Sequence, residues 1–187
     1  VGVFWGYKTD GVISSQKEID AMEHPLYQLD ATKTPQYFEP GDVKFVNING
    51  NDGLIDENDK TIIGNPNPDI YGNIFTSFSY KGLKLDVGFN YSLGNDVYNY
   101  YRRQLESGST FYNQTTALLN RWSYDGQVTD IPVAEFGDPA GNSRFSDRWI
   151  EDGSYLRLKS VKLSYDVPVV SNWLQGLSVW CASENIY

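Results

Sequence analysis

Apolar and polar side chains alternate most regularly at residues 83–92, LKLDVGFNYS. Leu83, Leu85, Val87, Phe89 and Tyr91 are apolar, and Lys84, Asp86, Gly88, Asn90 and Ser92 between them are polar or small. A period of two sustained over this run predicts a strand with one oily and one wet face. Upstream, Ile74, Thr76, Phe78 and Tyr80 make a weaker face of the same kind. Lys81–Gly82 between the two runs predicts a tight hairpin turn. Later, Leu156 and Leu158 share one parity, whereas Val161, Leu163, Tyr165 and Val167 share the other. That one-residue slip of phase near Lys159–Ser160 predicts a β-bulge. A last run alternates Leu177, Val179 and Cys181 with Ser178, Trp180 and Ala182. The pattern predicts roughly five or six strands of membrane-crossing length, about ten residues each.

Helical spacing is sparser. Val97, Tyr101 and Leu105 recur every four residues; beyond a break at Ser107–Gly108–Ser109, Phe111, Thr115, Leu118 and Trp122 do so again, predicting helix on both sides. Ser14 and Ser15 ahead of Glu18 predict a capped short helix through Met22, closed at His24–Pro25. The stretch Val1–Val12 reads as extended and ends in a turn at Asp10–Gly11. Residues 26–41 and 123–146 read as irregular loop. There is no internal repeat.

Composition narrows the class. The 187 residues carry 24 Asp and Glu against 15 scattered Lys and Arg, a formal charge of -9, which argues against a nucleic-acid-binding face. Cys181 has no partner for a disulfide, and one Cys with one His24 cannot build a zinc site. No apolar run is long enough for a membrane-crossing helix, which leaves a β-barrel open. Fourteen Tyr, nine Phe and five Trp favour strands. The sequence begins at Val1 without a leader and stops inside a strand-like run, so a piece of a larger protein is expected. Alternation alone fits a soluble sandwich as well as a barrel. Three features favour a barrel: strand length, the contrast between a minimal turn at 81–82 and a long connection after Ser92, and the aromatics Tyr71, Phe78, Tyr80 and Tyr91 near strand ends.

The sharpest chemical feature is NINGNDGLIDENDK, residues 47–60. Alternating Asn and Asp, a glycine, an apolar anchor at Ile55 and further carboxylates suit a calcium loop, because a tight turn can aim several hard oxygens at one point. With Gly53 at the glycine position, Asp52, Asp56 and Asp59 fall at ligand positions, but so would Ile48 and Gly50. Asn47 and Asn49 therefore fit only if one extra residue is accommodated. The candidate ligands are thus Asn47, Asn49, Asp52, Asp56 and Asp59, for a weakly held Ca2+; a plain Asx-rich turn is the alternative. Glu151–Asp152 is no glycosidase acid pair, since neighbours on a strand point to opposite faces. His24, beside Asp20 and Glu23, has no nucleophile motif to serve. No catalytic residue is assigned and no enzyme is expected. Asn113–Gln114–Thr115 matches a glycosylation triplet that also arises by chance. The five tryptophans could stack on sugars or sit at a membrane interface.

Several blocks in order carry a resemblance: GYKTDGVISSQKEID (6–20), GDVKFVNINGNDGLIDENDKTIIGNPNPDIYGN (41–73), SYKGLKLDVGFNYSLGNDVYN (79–99), RFSDRWIEDGSYLRLKSVKLSYDVP (144–168) and LSVWCASENIY (177–187). Over nearly its whole length the chain resembles the C-terminal part of a SusC/RagA-type, TonB-linked outer-membrane protein. It departs at the Asn/Asp loop, where the family usually has the shorter D-x-N-G-D-G-x-I-D run.

The resemblance implies an all-β fold: residues 1–187 as part of an antiparallel transmembrane barrel of about 22 strands, with long extracellular loops carrying short helices. The plug domain would lie outside the chain. It further implies an outer-membrane nutrient importer of a Bacteroidetes-type Gram-negative bacterium. The implied partners are a SusD-like surface lipoprotein, TonB acting through the plug, outer-membrane lipid, and an oligosaccharide or peptide substrate. From the residues alone, the competing expectation is a secreted, calcium-stabilised β-sandwich that binds carbohydrate.

Overall fold

The structure, a computed structural model, describes residues 2–23, 25–29, 31–50, 53–168 and 173–186. Its elements in chain order begin with β1 (Phe4–Gly6), β2 (Thr9–Val12), α1 (Gln16–Asp20), β3 (Leu26–Tyr27), β4 (Gln36–Tyr37), β5 (Val43–Phe45), β6 (Leu54–Ile55) and β7 (Thr61–Gly64). Then come β8 (Ile70–Tyr80), β9 (Leu83–Leu93), β10 (Asp96–Tyr98), α2 (Tyr100–Glu106), β11 (Ile150–Asp152), β12 (Tyr155–Val167) and β13 (Leu177–Glu184). The chain divides into two units. One comprises Val1–Pro66 and Val97–Glu151, the other Asn67–Asp96 and Asp152–Tyr187.

The second unit is one antiparallel sheet in the order β13-β12-β9-β8. Four long strands stand where five or six were expected, because the N-terminal apolar residues go into short strands of the other unit. The hairpin β8–β9 pairs from Ile70↔Leu93 to Tyr80↔Leu83. Lys81 and Gly82 both take positive φ, 49° and 82°, the type I′ geometry whose twist matches the flanking strands. Gly82 is required there, since a Cβ would also lie 2.9 Å from the Asp166 carbonyl. The bulge falls as predicted: Leu158 faces Phe89 and Ser160 faces Gly88, so Lys159 is the extra residue. Its carbonyl accepts from Asn185 N at 2.7 Å.

Register sorts the side chains into two faces. Ile74, Phe78, Leu85, Phe89, Leu158, Leu163, Val179 and Cys181 fall on one; Ser77, Lys84, Asp86, Asn90, Lys162, Ser164, Asp166 and Ser178 fall on the other. Two glycine–aromatic pairs sit directly across β8 and β9. Tyr91 lies over Gly72 on the oily face, and Phe75 lies over Gly88 on the wet face.

The first unit holds the apolar core: Tyr7, Ile13, Ile19, Tyr27, Phe38, Val43, Phe45, Ile55 and Ala140. Small sheets β1–β7, β2–β5 and β4–β3–β6 surround it, β3–β6 being parallel. Asn142 ties distant loops together: its Oδ1 accepts from Val43 N at 2.7 Å and its Nδ2 donates to Asp42 Oδ1 at 3.0 Å. Burial pushes the Asp42 carboxyl above its usual range.

Several local expectations are corrected. Asp10–Gly11 is no turn but the irregular middle of β2, whose register shifts between Thr9 and Val12. Residues 26–41 contain the pair β3–β4. Ser15 caps α1 by position only, with no side-chain bond. Glu18 instead reaches back and accepts from Ser14 N and Oγ at 2.8 and 3.0 Å. Helix does form at α2, but 111–122 yields only a 3₁₀ turn, Thr116–Asn120. Long-range partners win there: Phe111 stacks on Phe136 with centroids 4.8 Å apart, and Trp122 N donates to Ile131 O at 2.9 Å.

Candidate functional site

The sheet is the first candidate surface. Every buried apolar residue among those described lies in the first unit. The oily face of the four strands, by contrast, stays open, with Ile74 at 54%, Phe78 at 61% and Val179 at 58% exposure. A contiguous apolar face of this extent marks an interaction or lipid-contact surface. Tyr80 and Tyr165 share the pairing row nearest the Lys81–Gly82 turn, on that same face. The opposite face is charge-balanced and self-bonded: Lys84 Nζ lies 3.3 Å from Asp86 Oδ1, Ser77 Oγ also bonds Asp86, and Ser178 Oγ donates to Asp166 Oδ1 at 2.5 Å.

The Asn/Asp turn folds around Asp59, which is fully buried. Its Oδ1 accepts from Ile48 N at 2.8 Å and Asn49 N at 3.2 Å, and its Oδ2 from Asp56 N at 2.8 Å. Asp56 returns the arrangement by accepting from Asn58 N at 2.7 Å, a capping box for the 3₁₀ turn Glu57–Asp59. Asn47 Oδ1 accepts from Gly50 N at 2.5 Å, while its Nδ2 donates to Leu54 O. Asp52 lies outside the described residues. Of the five candidate ligands, then, Asn49, Asp56 and Asp59 are brought together, Asn49 through its backbone N–H, and the two carboxylates have oxygens turned to N–H groups. Among the described residues no group of three or more His, Cys, Asp or Glu is placed to hold a metal ion.

The other candidates resolve into structure. Glu151 accepts from Asn99 Nδ2 and pairs with Arg102 Nη1, both at 3.0 Å, and these bonds hold its carboxyl below the usual range. Asp152 accepts from Ser154 N instead. His24 lies outside the described residues. Trp149 is buried and its Nε1 donates to Arg144 O at 3.2 Å, whereas Trp5, Trp173 and Trp180 are exposed.

Sequence reasoning missed Arg144. Its guanidinium sits among aromatic rings, 4.2 Å from the Phe45 centroid, 5.1 Å from Tyr7 and 5.6 Å from Tyr27. Burial holds its pKa below the ordinary arginine value and is the chief reason the Tyr7 phenol is pushed up to about 12. Nothing local in RFSDR signals this cage, since its rings come from residues 7, 27 and 45. The glycine–aromatic pairs also went unread, although each member is equidistant from the Lys81–Gly82 turn.

Comparison with known proteins gives a consistent picture. No family model matches the chain. It is 33% identical over 177 residues to TonB-dependent receptor P26 of Formosa agariphila, an alignment covering 95% of the chain and 17% of that protein. TonB-dependent receptor P3 of the same organism is 29% identical over 189 residues, covering 100% of the chain and 17% of the relative. Among solved structures, the RagAB peptide transporter matches 98% of the chain and 18% of its own, with TM-score 0.70 and 23% identity. The RagAB peptide importer in its closed-closed state gives TM-score 0.66 and 26% identity over 98% of the chain and 19% of its own. The chain thus spans less than a fifth of the curated relatives it matches.

Proposed function

Because the chain belongs to the TonB-dependent receptors of the SusC/RagA type, we propose that its four long strands are a section of a closed outer-membrane barrel wall. In this reading the barrel has about 22 strands, and residues 1–66 and 97–151 form its extracellular loops. The whole protein imports a large nutrient, an oligosaccharide or peptide, together with a SusD-like lipoprotein, driven by TonB through a plug. The relatives are receptors and transporters, and neither they nor this chain is an enzyme.

The observation that carries the reading is the open oily face. A sandwich would bury Ile74, Phe78, Leu163 and Val179 against a second sheet, and none of them is buried. Lipid removes the need for that second layer. Topology supports it: the chain leaves the sheet for the other segments at Ile70, Leu93 and Tyr155, all at the strand ends away from the tight turn. Short turns at one rim and long loops at the other are the habit of such barrels.

Cys181 supplies the test. A nitroxide there, in the whole receptor in native outer membrane with Cys181 as its sole cysteine, should be relaxed strongly by oxygen and weakly by a water-soluble nickel chelate. A label at Ala182→Cys, in a receptor whose Cys181 is replaced by serine, should show the reverse. Equal accessibility to the nickel reagent at both positions would sink the wall assignment.

Calcium at the Asn/Asp turn belongs to the same reading only as a weak ligand. In this reading an ion would draw Asp56 away from the Asn58 N–H groups it holds, so the affinity would fall at the weak extracellular end, about 0.1–1 mM.

A further inference from the structure

We propose that a cavity beside Arg144 in the first unit binds a carboxylate carried on a ring or apolar body. The cavity, about 210 Å³, is lined by the rings of Trp5, Tyr7 and Phe145 and by Glu57, Lys60 and Arg144. Two of its three charged groups are cations, in a chain whose net charge is -9.

The arginine is held but incompletely used. Its Nε donates to Gly141 O at 3.0 Å and its Nη2 to Ala140 O at 2.7 Å, while Nη1 is buried without a hydrogen-bond partner. A charged donor in that condition is costly, and because the atom is closed off from solvent it acts on a ligand in the cavity through its charge. Gly141 makes the seat possible. It takes φ +69°, and a Cβ there would lie 2.5 Å from Leu29 and 3.0 Å from Arg144.

Lys60 is the donor open to the ligand, and the Asn/Asp turn positions it. The capping box of Asp56 and Asp59 fixes the 3₁₀ turn Glu57–Asp59, and Lys60 follows directly before β7. Its ammonium lies 5.3 Å from the Tyr7 centroid and pairs with the Glu57 carboxylate, which also accepts from Tyr7 Oη at 3.3 Å. Glu57 therefore occupies the position a ligand carboxylate would compete for. One ammonium donor beside a buried guanidinium charge suits a carboxylate, which asks for fewer donors than the three oxygens of a sulfate or phosphate ester. Trp5, 57% exposed, offers its ring to the body that carries the acid. A peptide C-terminus and a uronic acid both have this chemistry.

The inference rests on the importer reading only in placing the cavity on an outward loop. It is tested by saturation-transfer NMR on the detergent-solubilised whole receptor. The probes are N-acetyl-L-phenylalanine, its carboxamide, and methyl glucuronide. One of the two acids should bind at least about tenfold more tightly than the carboxamide, the size of one charge-assisted hydrogen bond; which acid does so identifies the source. Lys60→Gln should weaken that acid about tenfold. Glu57→Gln should tighten it, because it removes the resident competitor, a gain that a purely structural Lys60–Glu57 pair would not produce. Equal binding of acid and carboxamide, no binding by either acid, or indifference to both substitutions would overturn the proposal. None of these outcomes bears on the Cys181 accessibility pattern, so the two readings fail separately.

Discussion

A lysine placed at different points along β9 should report its depth in lipid. Strands rise about 3.4 Å per residue, and a tilt near 45° converts this to about 2.4 Å of depth. The eleven residues of Leu83–Leu93 would then span about 26 Å, close to the apolar band of outer-membrane barrels. Gly88 is the central residue, so Val87 on the oily face lies about 2 Å from the midplane and Leu83 about 12 Å from it. Val87→Lys should therefore cost about 2–4 kcal/mol of folding free energy and Leu83→Lys about 0–1 kcal/mol. Asn73→Lys, exposed on the wet face and paired with Asn90, should cost less than Val87→Lys by more than its depth, about 5 Å from the midplane, would give on the oily face. The assay is denaturant titration of the whole receptor in lipid vesicles, with the folded fraction read from heat-dependent gel mobility. Equal costs for Val87→Lys and Leu83→Lys, or a wet-face cost matching the oily one, would refute both the depth and the facing.

Other expectations follow from particular contacts. Gly88→Ala puts a Cβ 2.7 Å from the Phe75 ring and 2.8 Å from Ser160 Oγ; it should destabilise by about 1–3 kcal/mol, and Phe75→Ala in the same chain should recover part of that loss in a double-mutant cycle. Asp59→Ala removes the acceptor for three amides, so hydrogen exchange at Ile48, Asn49 and Asp56 should accelerate together, by about tenfold or more; unchanged protection would show that the turn does not depend on it. Calcium titration by calorimetry should give a dissociation constant no tighter than about 0.1 mM, abolished by Asp56→Ala; micromolar binding would contradict the hydrogen-bonded turn. Glu18 is held below its ordinary value, about 4.5, chiefly by the Ser14 N–H, with the Ser14 hydroxyl and Lys44 assisting. Its contribution is complete above that value and fades as pH falls through the lowered one, so Glu18→Gln should flatten the acid limb of stability against pH.

The parts of the fold that were legible in sequence are those settled by neighbours in the chain. The β8–β9 hairpin follows from ten alternating residues and a two-residue turn, and the Lys159 bulge from a break in that same rhythm. What escaped depends on distant partners. Phe111 and Trp122 had helical spacing but are claimed by Phe136 and Ile131. Arg144 carried no signal of its own, because the rings around it come from residues 7, 27 and 45. In the Asn/Asp run the residue types were legible, but the way Asp56 and Asp59 face was not, because spacing carries no information about that.

The extra lysine of β12 has a further consequence for how the sheet can change length. Removing Lys159 would leave Leu158 and Ser160 adjacent, with Arg157 still opposite Asn90 and Ser160 still opposite Gly88, so neither half of the strand rotates. Dropping a residue elsewhere, at Val161 for instance, with the bulge retained, would roll one segment half a turn and swing Lys162 or Arg157 toward oil. Lys159 is thus an expansion joint, an interior residue of these thirteen that can be lost without turning either half of the strand inside out or moving a polar side chain to the oily face.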